Sequence, residues 1–262
     1  MRDTVELPIP LSVCRMSVNQ WVDAVFALSV RTFADRIAHI RAEMARHGIA
    51  FEFVFDYDPD AIPPALIEQT FAPSDMKITH QSLVLKHMQT WRLAVERNLR
   101  RVLVFEDDAV LADDFTVQLE RALREADRLA APYLIYLGRG NNQHVGGGPA
   151  GTALVPGGVL PATDALVFNR DAAVRRLEYL ARHRITRPAD WLMRETDAAV
   201  GVVHYWLREP IVEQGSMNGK FVSVLDSKRR RRGRWFTWAS YRSAAWWRRL
   251  RRRMRWVAEP PQ

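Results

Sequence analysis

Three carboxylates in a row, Glu106-Asp107-Asp108, close the apolar run Val102-Leu103-Val104-Phe105. Like charges set side by side cost folding energy unless something cationic neutralises them. A hard divalent metal ion prefers such oxygen ligands, and a cluster of Arg or Lys is the other candidate. A metal held there can grip a diphosphate. Side chains alternate along a strand, so Glu106 and Asp108 share a side while Asp107 faces the other. Glu106 and Asp108 are therefore the expected metal ligands, for Mn2+ or Mg2+. Such a metal bridges two phosphates of a nucleotide and stabilises the diphosphate as it leaves. The plain alternative is an acidic turn that caps the next segment.

The elements that must position this run read as alternating strands and helices. Apolar, β-branched and aromatic stretches at 24–29, 51–55, 102–105, 133–137, 165–168 and 200–203 predict strands. Apolar residues at helical spacing predict helices over about 31–47, 82–97, 115–130, 171–183 and 189–195. Residues 58–64, rich in Pro and Asp, predict a loop. Residues 138–158 hold eight glycines and predict an irregular loop beside a site. Alternation of this kind predicts an α/β fold, a single Rossmann-type domain with a mostly parallel sheet. Ligands of such sheets bind outside the carboxyl ends of the strands, where the acidic run lies.

Charge divides the 262-residue chain in two. The net charge of +8 comes from residues 228–256, which carry Lys228 and twelve arginines and no acid. Without those thirteen, 25 basic residues face 30 acidic ones, so the body is mildly acidic. We divide the chain into a catalytic domain over 1–225 and a basic amphipathic C-terminal tail over 226–262. In the tail, Trp235, Phe236, Ala239, Trp246, Trp247, Leu250, Met254 and Val257 fall on one arc of a helical wheel. Most arginines fall outside it. Interleaved aromatic and cationic residues suit an anionic membrane surface, engaged through residues 228–257. Specific nucleic acid binding is not expected. One cysteine, Cys14, permits no intrachain disulfide, and the N-terminus lacks a signal-peptide pattern. These features predict a cytoplasmic protein, peripheral on the cytoplasmic face of the membrane.

Seven segments in order resemble glycosyltransferase family 25, over roughly residues 22–225. Ala27-Leu28-Ser29-Val30-Arg31 with Asp35-Arg36 resembles the family's opening strand, and Gly48-Ile49-Ala50-Phe51-Glu52-Phe53 its second. Ser82-Leu83-Val84-Leu85-Lys86-His87 with Trp91 is similar to its histidine-bearing helix. Val104-Phe105-Glu106-Asp107-Asp108-Ala109 stands at its Glu-Asp-Asp motif. Thr163-Asp164-Ala165-Leu166-Val167-Phe168 resembles a later strand. Pro188-Ala189-Asp190-Trp191 and Glu209-Pro210-Ile211-Val212-Glu213-Gln214 resemble the closing motifs. The Gly-Glu-Ile-Gly-Cys segment that often precedes the family's histidine is replaced here by Thr79-His80-Gln81-Ser82-Leu83.

The resemblance implies a GT-A-like fold, a nucleotide-sugar donor (a UDP-sugar), transfer of a hexose such as galactose, and inversion at the anomeric carbon. It implies a glycan or glycolipid acceptor of the lipopolysaccharide type. Asp190 is then the general base, beside Trp191, whose ring can stack on a sugar; an N-terminal helix cap is the alternative. Arg31 and Arg36 are candidates for donor phosphates, with a role as surface helix arginines the alternative. His87, Asp107, Gln214 and Ser216 are further candidate donor contacts. For His87 a core role competes, and His204 reads as structural. Two other readings compete: a catalytically inactive glycosyltransferase-like docking protein, and a metal-dependent phosphodiesterase using the same carboxylates.

Overall fold

The computed structural model describes residues 17–138, 151–157, 162–221, 238–239 and 242–243. Strands β1 (Ala24–Leu28), β2 (Glu52–Val54), β3 (Arg101–Glu106), β5 (Tyr133–Tyr136), β6 (Leu154–Pro156), β7 (Ala165–Asn169) and β8 (Val203–Leu207) form one sheet in the order β2-β1-β3-β7-β5-β8-β6. The pairings run five strands one way and β7 and β6 the other. The sheet is thus mixed, with most strands parallel in direction. β3 is buried at its centre because Val102, Leu103, Val104 and Phe105 meet apolar residues on both faces.

Helices cover both faces. Leu103 and Phe105 pack with α1 (Ala34–Arg46) and α4 (Phe115–Ala126). Phe115, Leu119, Ala122, Leu123 and Ala126 of α4 recur at helical spacing and are all buried. Val102 and Val104 face the other way, into the cluster made with α3 (Ile78–Glu96), α5 (Arg170–Leu180) and α6 (Ala189–Val200). α5 and α6 are tied by a bidentate pair, Arg176 Nε and Nη2 each donating to Asp197 at 2.6 Å, with both side chains fully buried. His204 Nε2 adds a third contact to Asp197 at 2.7 Å.

The expectations need four adjustments. α2 (Pro64–Thr70) follows a loop that carries Pro63 just before it. α3 begins four residues earlier than its apolar spacing suggests. The last strand starts at Val203, because Gly201 in the left-handed region (φ 72°) ends α6 first. Finally, Ala109–Leu111 (β4) pairs with Val212–Gln214 (β9) in a separate two-stranded ribbon. Three-residue strands are too short for any periodicity to reveal them. Within the glycine-rich stretch, Leu154–Pro156 is an edge strand, and residues 139–150 and 158 lie outside the described residues. The tail lies outside them too, except residues 238–239 and 242–243. These are helical, with the Arg242 guanidinium 5.6 Å from the Trp238 ring centroid.

Candidate active site

β3 delivers the acidic run to the carboxyl edge of the sheet, and the alternation of its side chains sets what each carboxylate meets. Asp107 follows Leu103 and Phe105 onto the α1 face. There Arg36 Nη1 donates to Asp107 Oδ1 at 2.7 Å and the Ser29 hydroxyl donates to Oδ2 at 2.8 Å. Arg36 also lies 3.9 Å from Asp108. Burial lowers the affinity of Arg36 for its proton, but the carboxylates of Asp107 and Asp108 more than offset this, and its pKa is raised. Arg36 is therefore engaged in neutralising the run. The expected phosphate contact would have to compete with that ion pair.

Glu106 follows Val104 onto the α3 and α6 face. The Thr163 hydroxyl donates to Glu106 Oε1 at 2.5 Å and the Gln214 amide to Oε2 at 3.4 Å. Asp108, 1% exposed, accepts from the Ser216 N–H at 3.0 Å, while its main-chain carbonyl accepts from Gly215 at 2.8 Å. The β4–β9 ribbon makes these contacts possible. It folds residues 212–216 back over residues 108–111, so Gln214 and Ser216 meet a run more than a hundred residues earlier.

Glu106, Asp107, Asp108, Arg36, Gln214 and Ser216 thus come together. Arg31 lies on the same edge, its guanidinium exposed, 5.0 Å from the Phe55 ring centroid and donating to the Phe55 carbonyl at 2.8 Å. Its N–H donates to Asp58, whose other oxygen accepts from the buried Lys86 at 2.7 Å. His87 stands apart. It is 1% exposed inside α3, and burial together with the Arg176 cation lowers its pKa to about 3. In this arrangement it is a neutral core residue with no surface to offer a nucleotide.

Asp190 lies in the first turn of α6 and accepts from the Trp191 N–H at 2.9 Å. Pro188 occupies the cap position itself. Burial raises the Asp190 pKa, partly offset by nearby main-chain N–H groups and by His80. Trp191 is 45% exposed, with the Arg194 guanidinium 5.3 Å from its ring centroid. α6 leads into β8 and α3 into β3, so both helix N-termini lie at the carboxyl edge with the acidic run. No contact among the described residues joins Asp190 to that run directly.

The donor set fits the expected metal. Asp108 Oδ1 is buried and has no hydrogen-bond partner among the described residues. No group of three or more His, Cys, Asp or Glu residues among them can hold a metal on its own. Glu106 and Asp108 would offer a hard divalent ion oxygen ligands, of which a Mg2+-like ion takes one or two.

Asp164 was not among the residues expected at the site. It sits immediately before β7, 1% exposed, and neither carboxylate oxygen has a partner among the described residues. Burial and then the Asp108 charge raise the pKa of Asp164 to about 7 and that of Glu106 to about 8. These shifts predict a pH effect. Folding keeps protons on both carboxyls that the unfolded chain releases, so their contribution is present at low pH and lost as pH rises through 7–8. Below the ordinary histidine pKa of about 6.5, buried neutral His87 acts oppositely and offsets part of that loss. The protein in chelator should therefore lose stability between about pH 6.5 and 8, by of order 1 kcal/mol. Thermal denaturation in EDTA checks this, and Glu106→Gln should flatten the decline. A melting temperature that rises across that interval would contradict it.

Parts of the chain are similar to known proteins. Residues 23–146 match the profile of glycosyltransferase family 25 (LPS biosynthesis protein). A candidate glycosyltransferase of Haemophilus influenzae is 30% identical over 105 residues, which are 36% of each chain. The lipooligosaccharide biosynthesis protein lic2B of the same species is 27% identical over 122 residues, 43% of this chain and 46% of the relative. The human inactive glycosyltransferase 25 family member 3 is 47% identical over 57 residues, 21% of this chain and 9% of the relative. The matched segments thus span less than half the length of each relative. Over residues 23–146 the chain is similar to glycosyltransferase family 25.

Proposed function

We propose that this family 25-like chain is a metal-dependent, inverting glycosyltransferase. It moves a hexose, galactose being our first choice, from a UDP-sugar to a lipid-linked or lipopolysaccharide-type glycan. The observation that carries the reading is the carboxylate pair Glu106 and Asp108 at the carboxyl edge, with an unpartnered buried oxygen on Asp108. Mn2+ or Mg2+ held by that pair supplies positive charge for a departing diphosphate. Arg36 and Ser29 hold Asp107 back, which keeps the other two carboxylates in register. Arg31 offers an exposed cation to a phosphate at the same edge. Asp190 takes the proton of the acceptor hydroxyl, and the exposed ring of Trp191 supports the acceptor sugar.

A ligand that binds only the native state raises its melting temperature. UDP-galactose with Mn2+ is expected to raise it by several degrees, and much less in EDTA. No shift with any nucleotide sugar would remove the reading. The human relative named as inactive motivates a second one, in which the chain only docks to membranes or partners. Mn2+-dependent hydrolysis of a nucleotide sugar would exclude it.

The tail is proposed to seat the enzyme on the cytoplasmic face of the membrane, near a lipid-linked acceptor. No helix among the described residues is long and apolar enough to cross a membrane. Removing residues 228–262 is expected to abolish sedimentation with anionic liposomes while leaving turnover of a soluble acceptor. Unchanged sedimentation would refute the seating role.

A further inference from the structure

The register of the sheet sets an unassigned carboxylate directly beside the expected metal pair. β3 and β7 are antiparallel with Phe105 opposite Ala165, so the next pair is Glu106 opposite Asp164, closed by the Glu106 N–H donating to the Asp164 carbonyl at 2.9 Å. Directly opposed residues of neighbouring strands present their side chains on one face, and like charges there are destabilising. β5 and β7 continue the row. Tyr136 opposes Leu166, and the same register carried two residues on brings Gly138 level with Asp164. The Asp164 carboxylate lies over Gly138: a Cβ built on that glycine would stand 1.7 Å from Asp164 Oδ2. The missing side chain at 138 is what lets a third carboxylate fit. Within this row Asp164 Oδ1 and Oδ2 and Asp108 Oδ1 are buried oxygens without partners. Buried carboxylates without hydrogen bonds are costly unless they keep a proton or a ligand satisfies them.

We propose that Asp164 is a third acidic residue of the cation site, acting on a divalent metal through its charge while Glu106 and Asp108 supply the direct ligands. This rests on the metal-dependent reading above. Since no three acidic or histidine side chains among the described residues form a complete ligand set, Asp164 is a positioning residue. Its added negative charge favours a divalent over a monovalent cation.

The test is Mn2+ titration of the full chain followed by melting temperature, with Asp164→Asn and Asp164→Ala beside the wild type. Removing a residue that supports metal ligands from behind typically weakens metal binding by roughly 10–100-fold. Both variants are expected to need at least tenfold more Mn2+ for half the shift. They are also expected to melt higher than wild type in EDTA above about pH 8, where the wild-type carboxyls have lost their protons and each variant removes one of three like charges. A residue that merely supports the fold would give the reverse, a lower melting temperature in EDTA and an unchanged Mn2+ midpoint, and that result would overturn the proposal. A wild type that binds UDP-sugar but shows no Mn2+ shift would instead overturn the metal reading itself, and Asp164 with it. A Mn2+ shift of equal midpoint in all three proteins would leave that reading standing and refute the role of Asp164 alone.

Discussion

Asp108→Asn is expected to lower Mn2+-dependent turnover of a UDP-sugar by roughly 10³-fold. A metal that stabilises a departing diphosphate contributes several kcal/mol, and each 1.36 kcal/mol is about tenfold in rate. Asparagine is the informative substitution because Asp108 has two jobs. One oxygen accepts from Ser216 and so holds the end of β9 against β4. The other is the buried oxygen without a partner. An asparagine keeps an acceptor for Ser216 and gives up only the charge, so the fold should survive and the chemistry should not. Asp108→Ala removes both and should also cost stability, since it leaves the Ser216 N–H buried without a partner. Measuring turnover at saturating Mn2+ beside the melting temperature separates the two. Asp108→Asn protein with wild-type turnover would remove Asp108 from the metal site.

Local pattern carried part of this site. The apolar strand ending in Glu106-Asp107-Asp108 was legible because burial on both faces writes a continuous apolar run. The alternation rule set Asp107 on the side away from Glu106, and Asp107 is the one that meets Arg36 of α1. What stayed hidden is what register alone decides. Asp164 meets Glu106 only because β7 runs back against β3, and nothing in the spacing of residues 106 and 164 says so. The β4–β9 ribbon is hidden for a related reason, since six residues in two short strands carry no period. Gly138 was one visible sign. A glycine ending a strand can mark a close approach rather than a loop, and here the approaching group is a carboxylate. For His87, where a core role competed with a nucleotide contact, the structure shows a side chain buried inside α3.

Asp190→Asn should separate donor binding from transfer. A well-placed general base is worth about 10²–10⁴-fold, so transfer to an acceptor is expected to fall by that much while the Kd for UDP-sugar stays within about twofold. The substitution also isolates the competing explanation. As a helix-terminal acceptor, Asp190 takes the Trp191 N–H at 2.9 Å. An asparagine can take the same bond, so a residue with only that duty would tolerate the change. Three observations motivate the proposed chemical duty. Pro188 already fills the cap position of α6. The carboxyl is half-buried and its pKa is raised by that burial, which moves a carboxylate towards the strength a base needs at neutral pH. Its helix packs on the face of the sheet to which Val104 and Glu106 point, and begins at the edge where β3 ends. The pH profile sharpens the test. Transfer by the wild type should rise with pH as Asp190 loses its proton, through a limb above the ordinary aspartate range, and that limb should be missing from the residual rate of Asp190→Asn. A variant that keeps both the rate and the limb would place the base elsewhere.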